Sequence, residues 1–258
     1  MLNIEIDLAL RVAEISRQAG AGIMAVYATN FSIGTKNDQT PVTKADQIAE
    51  DIILDTIPKK ITGEFPIVSE EAAAEGQIPA INGSPFWLID PLDGTKEFVN
   101  RNGEFTVNIA LIVEGQPVLG IVHLPAQDTT YMGLSAGAYR MKEDTSPDII
   151  FCRKPPTEGL TALVSRSHRT SEIDCYLDHF NIAQEISAGS SLKFCRVAEG
   201  AADIYPRLGR TMEWDTAAGH AVLRYAGGEI QRLNGSHLDY GKPGFENPHF
   251  VAASLGVL

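Results

Sequence analysis

An α+β half followed by an α/β half is the fold class this sequence predicts, and three observations predict it. Two helix-period stretches open the chain, an unbroken series of strand-period segments follows, and short strands then alternate with helices to the end. The stretch over residues 142–158, rich in proline and acidic residues, is the expected junction. It divides an N-terminal half, residues 1–150, from a C-terminal half, residues 151–258.

Leu8, Val12, Ile15, Ala19, Ile23 and Val26 recur at steps of three and four, so residues 6–27 form an amphipathic helix. An extended piece (31–35) and a polar loop lead to a second helix, whose apolar side carries Ala45, Ile48, Ala49, Ile52 and Ile53. Thr43-x-x-Asp46 resembles a capping box at its start. Residues 65–69 read as a strand that delivers Glu70 and Glu71, and the apolar run from Trp87 delivers Asp90. Segments 105–113 and 117–124 read as a hairpin joined at Glu114-Gly115-Gln116, continued by strands at 129–133 and 137–141. Beyond the junction, strands are expected at 160–165, 184–187, 202–205, 229–232 and 250–254. Helices are expected at 171–180, 190–199 and 214–225.

With 258 residues, 44% of them hydrophobic, the chain can bury a sizeable core of one or two domains. Its 21 Lys and Arg against 33 Asp and Glu give a net charge of −12, which argues against nucleic-acid binding. A small anionic ligand remains compatible, since local cations can reverse the field of one cleft. Three cysteines without CxxC spacing fit a reducing cytoplasm and read as buried small hydrophobes. The N-terminus lacks the features of a signal peptide, and no apolar stretch is long enough for a membrane span. Peripheral attachment to the inner face of a membrane stays open, as does homodimerisation.

The chemistry concentrates in acidic residues. Three apolar residues lead into Asp90; Pro91 is expected to stop the strand ladder, Asp93 adds a second carboxylate, and Gly94 lets the backbone turn. Carboxylates this close repel unless a cation lies between them, so a divalent metal is the natural partner. Pro-x-Asp-Gly is also ordinary turn chemistry. Likewise Asp215 could serve only its helix's N-terminus, Asp46 only as a cap, and Glu70 with Glu71 as a solvated pair.

Taken together, Ser69-Glu70-Glu71, Asp90-Pro91-Leu92-Asp93-Gly94-Thr95 and Trp214-Asp215-Thr216-Ala217-Ala218-Gly219 resemble the inositol monophosphatase superfamily of magnesium-dependent, lithium-sensitive phosphatases. Within it, Lys96-Glu97-Phe98, the segment 102–110, Ser165-Arg166-Ser167-His168, the segment 189–195 and Tyr205-Pro206-Arg207-Leu208-Gly209 are most similar to the bacterial 3′(2′),5′-bisphosphate nucleotidases of the CysQ type. The resemblance implies a layered αβαβα sandwich and removal of the 3′-phosphate of adenosine 3′,5′-bisphosphate. An inositol monophosphatase or sugar-bisphosphate phosphatase of the same fold is the alternative, with a non-catalytic inositide- or cation-binding module behind it.

The resemblance also implies roles. One Mg²⁺ would be held by Glu70, Asp90 and the Leu92 carbonyl, a second by Asp90, Asp93 and Asp215, and a third near Glu70. Thr95, Asp46 and Glu70 would serve catalysis, with Thr95 orienting the attacking water and Asp46 relaying its proton. Gly94, Thr95 and Lys96 would meet the scissile phosphate, while His168, Ser190, Ser191, Lys193 and Arg207 would bind the rest of the nucleotide. His220 reads as a packed surface histidine rather than a catalytic one.

Overall fold

The computed structural model describes residues 2–35, 41–142, 145–166 and 170–258. Helices α1 (Ile6–Tyr27) and α2 (Lys44–Lys60) flank a minimal ladder of β1 (Gly34–Thr35) and β2 (Pro41–Val42). Next come β3 (Ile67–Ser69), the short α3 (Glu70–Ala74), β4 (Phe86–Asp93) and α4 (Thr95–Val99). Strands β5 (Thr106–Val113), β6 (Gln116–Leu124), β7 (Thr129–Leu134), β8 (Gly137–Lys142) and β9 (Asp148–Ile150) complete a seven-stranded sheet in sequence order. Only β3–β4 pairs in parallel there.

The second sheet contains β10 (Leu160–Ser165), β11 (Ile182–Ala188), β12 (Ile204–Arg207), β13 (Gly228–Arg232) and β14 (Phe250–Ser254) in the order β11-β10-β12-β14-β13. Between these strands run α5 (Ser171–Leu177), α6 (Leu192–Ala198) and α7 (Glu213–Tyr225).

Alternation along the strands explains the layering, because successive side chains leave opposite faces of a sheet. Trp87, Ile89, Val107, Ile109, Leu119 and Ile121 join one core with the stripe of α1 and with Ala45, Ala49 and Ile53 of α2. Phe86, Leu88, Ala110, Ile112 and Val122 face the other way, into a core shared with α6, α7 and Leu163, Phe250 and Ala252 of the second sheet. The far face of that sheet, Ala162, Val164, Ile204 and Val251, is covered by Ile173 and Leu177 of α5. The result is the expected αβαβα sandwich, with one core shared between the two halves. Among the described residues no helix is long and apolar enough to cross a membrane.

Two strand glycines set the depth of the central helix layer. A Cβ on Gly120 would stand 2.3 Å from the Ala218 carbonyl oxygen, and one on Gly133 would stand 2.5 Å from backbone atoms of Ala221 and Val222. Helix α7 therefore lies directly on the backbone of β6 and β7, which fixes where its first turn, and Asp215, must fall.

Three expectations need correction. Pro91 does not stop β4: the ladder resumes at Asp93, paired with Thr106, after a register shift that begins at Asp90, paired with Asn108. A bulge accommodates a residue lacking an N–H. The junction stretch also contributes β9 to the first sheet, so regular pairing continues to Ile150. Cys175 is exposed and Cys152 half-buried, leaving Cys195 as the one fully buried thiol of the three.

Candidate active site

A cleft of about 830 Å³ lies where the two halves meet, lined by Glu70, Asp90, Leu92, Asp93, Gly94 and Thr95 from the first half and by Ser190, Lys193, Arg207, Trp214 and Asp215 from the second. The β4 bulge explains part of the convergence. In an unbroken strand, residues three apart point to opposite faces, so Asp90 and Asp93 would separate. The register shift between them puts both on the cleft.

Each aspartate is anchored by one oxygen. Leu92 N–H donates to Asp90 Oδ1 at 3.0 Å, and Met212 N–H donates to Asp215 Oδ2 at 2.9 Å. Asp93 Oδ2 accepts from Ser191 N–H at 2.6 Å and faces the hydroxyls of Ser191 at 2.9 Å and Thr106 at 3.4 Å. Burial lifts the carboxyls of Asp90 and Asp215 well above the usual range. The charges of Glu70, Asp93 and Asp215 push Asp90 further, as those of Asp93 and Glu70 push Asp215. Burial also raises Asp93, opposed by the nearby Lys193 ammonium and by Ser191.

As these side chains stand, no three His, Cys, Asp or Glu among the described residues already enclose an ion-sized centre. The rotamers satisfy backbone amides rather than a common point. The donor set nevertheless fits a hard divalent cation: hard carboxylate oxygens, gathered on one cleft floor and repelling one another, are relieved by positive charge.

Beside the acidic floor, Gly94 adopts φ 92° and starts α4, bringing Thr95 to its first position. Thr95 Oγ1 lies 3.3 Å from Asp46 Oδ1 and 3.4 Å from the Leu92 carbonyl oxygen. Asp46 also closes the capping box of α2, its Oδ2 accepting from Thr43 N–H at 2.8 Å and Thr43 Oγ1 at 2.9 Å. One buried carboxylate thus serves a helix terminus and meets Thr95, which lines the cleft.

The opposite wall carries buried cations. Lys193 Nζ donates to the carbonyl of Ser190 at 2.7 Å and sits 5.3 Å from the centre of the Tyr205 ring. Arg207 donates to the Arg210 carbonyl at 2.9 Å, while its Nε is buried with no hydrogen-bond partner among the described residues. Lys96 lines the cleft too. Ser190 Oγ donates to the Glu104 carbonyl at 2.6 Å, and the Ser191 hydroxyl is turned to Asp93, so the structure engages both serine hydroxyls inside the protein. His168 lies outside the described residues. His220 is buried rather than at the surface, its Nδ1 2.9 Å from the Tyr240 hydroxyl, and burial lowers it to about 3.

The model of the inositol monophosphatase family matches residues 5–254. The chain belongs to the inositol monophosphatase family. Its similar relatives include the 3′(2′),5′-bisphosphate nucleotidase CysQ of Escherichia coli K12, 42% identical over 244 residues that cover 93% of this chain and 97% of that protein. The CysQ of Buchnera aphidicola is 39% identical, over 95% of this chain and 93% of its own length. The crystal structure of CysQ from Bacteroides thetaiotaomicron, 34% identical, superposes with a TM-score of 0.80 over 96% of this chain and 97% of that one.

Against this inositol monophosphatase framework, three supporting residues had no role in the sequence reading. Asn108 is fully buried beside Asp93, and its signal was a lone amide in a strand apolar but for Thr106. Glu50, one turn beyond Asp46, accepts from Ala72 N–H at 3.1 Å and so fixes the helix that bears Glu70. Glu213 is fully buried and accepts from the amides of Gly241 and Lys242 at 2.6 and 2.9 Å.

Proposed function

We propose that this chain is a Mg²⁺-dependent, lithium-sensitive 3′(2′),5′-bisphosphate nucleotidase that converts adenosine 3′,5′-bisphosphate to AMP and phosphate. The observation that carries this reading is one cleft with a carboxylate floor and a wall of buried cations, Lys193 and Arg207. It occurs in a chain aligned over 93% of its length with a nucleotidase. A cleft of about 830 Å³ is also of the size that small-molecule sites use.

Mg²⁺ held by Glu70, Asp90 and the Leu92 carbonyl, a second by Asp90, Asp93 and Asp215, and a third, weakly, by Glu70 would neutralise phosphate charge, acidify water and stabilise the leaving oxygen. The chain's own groups do the rest. Thr95 donates its hydroxyl proton to Asp46 and accepts from the attacking water, and Asp46 takes up the proton. The first amides of α4, which have no partner within the helix, hold the 3′-phosphate oxygens with Lys96 beside them. Lys193 and Arg207 hold the second phosphate from the opposite wall, which is how a chain of net charge −12 captures a polyanion. Three free thiols fit a reducing cytoplasm.

Phosphate release measured in parallel from adenosine 3′,5′-bisphosphate, inositol 1-phosphate, fructose 1,6-bisphosphate and AMP tests the reading. The bisphosphorylated nucleotide is expected to be the best substrate, and clear preference for inositol 1-phosphate would overturn the nucleotide assignment while leaving the phosphatase intact.

A further inference from the structure

The two halves of the acidic floor are joined through a single hydroxyl. Ser191 Oγ lies 2.6 Å from the Asp215 carbonyl oxygen and 2.9 Å from Asp93 Oδ2, so its one proton serves two acceptors. Its own N–H adds a 2.6 Å bond to the same Asp93 oxygen. From the facing strand, Asn108 Nδ2 donates to Ser191 Oγ at 2.8 Å and approaches Asp93 Oδ2 at 3.4 Å.

Asn108 Oδ1 is buried with no partner among the described residues. That orphan is informative. Turning the amide over would set its oxygen against a carboxylate, so the neighbours dictate which end faces Ser191, and the fold tolerates an unpaired carbonyl to keep a donor there. Ser191 is 1% exposed and does not reach the cleft lining, which Ser190 and Lys193 on either side of it do. Its position suits a residue that holds other residues rather than a ligand.

We propose that Ser191, oriented by Asn108, is a positioning residue of the divalent-cation site. It holds Asp93 by Oδ2 and the first turn of α7 by the Asp215 carbonyl, so that carboxylates from the two halves face one cation together. This rests on the metal reading above and replaces the phosphate contact that the sequence suggested for Ser191. Donors that orient a ligating carboxylate restrict its freedom before the ion arrives, and losing one weakens the ion, not the organic substrate.

Calorimetric titration of Mg²⁺ into the wild type, S191A and N108A, with KM for adenosine 3′,5′-bisphosphate measured at saturating Mg²⁺, tests it. S191A is expected to bind Mg²⁺ about 10- to 100-fold more weakly and N108A roughly threefold or more, each with a KM within about twofold of wild type. Wild-type Mg²⁺ affinity in S191A overturns the proposal, especially alongside a raised KM, which would make Ser191 a substrate contact. If S191A does not fold, N108A decides: unchanged Mg²⁺ affinity there overturns the proposal equally. A wild-type protein that takes up no Mg²⁺ overturns the metal reading itself, and this proposal with it.

Discussion

Replacing Asp46 by Asn separates its two tasks. Its Oδ2 accepts from the backbone and hydroxyl of Thr43, and its Oδ1 lies 3.3 Å from the Thr95 hydroxyl. Asparagine keeps an oxygen for the Thr43 amide, so the cap weakens by only about 1 kcal/mol. In a chain of 258 residues that is a fall of roughly 2–4 °C in Tm. The Thr95 contact fares differently, because an amide cannot take up a proton. Turnover should fall about 10²–10⁴-fold, the usual contribution of a positioned acid–base group.

Thr43→Ala is the matched control. It removes the hydroxyl that receives the Ala45 amide at 3.1 Å and should cost about 1 kcal/mol as well, yet it leaves Asp46 facing Thr95. Thermal unfolding and phosphate release on the two variants give the comparison. Equal loss of turnover in Asp46→Asn and Thr43→Ala, at equal loss of stability, would show that Asp46 acts only as a cap and would refute the relay.

Glu213→Ala leaves the amides of Gly241 and Lys242 without their acceptor and the Lys242 ammonium, 2.6 Å away, without its buried partner. Breaking such a pair costs about 3–5 kcal/mol, so urea unfolding should show most of that loss; under about 1 kcal/mol would mean the loop is held by other means. Burial lowers the Lys193 ammonium to about 8, partly opposed by Asp93. It is therefore a cation below that pH and neutral above it. KM for the bisphosphate should rise as pH passes 8, and Lys193→Met should flatten the rise; a KM constant from about pH 7 to 9 would remove Lys193 from phosphate binding.

Helix α1 was legible because its buried residues, Leu8 to Ile23, follow one stripe that any sequence reading can count. The hairpin was legible because Glu114 and Gly115 both take positive φ, as a two-residue turn requires. The carboxylates were legible as a set because Glu70 and Asp215 open helices, Asp93 ends a strand, and Asp90 stands three residues before that end. Their supports were not. At the start of α6 the resemblance implies a nucleotide contact for Ser191, whereas the structure turns its N–H and hydroxyl to Asp93, 98 positions away in the chain. Glu213 meets amides 28 and 29 residues downstream, a pairing that no local pattern encodes. Strand β9 escaped notice because three residues show no countable alternation, and Pro91 misled because a bulge absorbs what a regular ladder rejects.

The bare patches under α7 carry a consequence for reading variants of this enzyme. At Gly120 and Gly133 nothing bulkier than hydrogen fits, so even a methyl would lever the helix off the sheet and drag Asp215 with it. A lesion on a central strand would then masquerade as a change in Asp215 itself, and the lost turnover would misdirect the search toward the cleft.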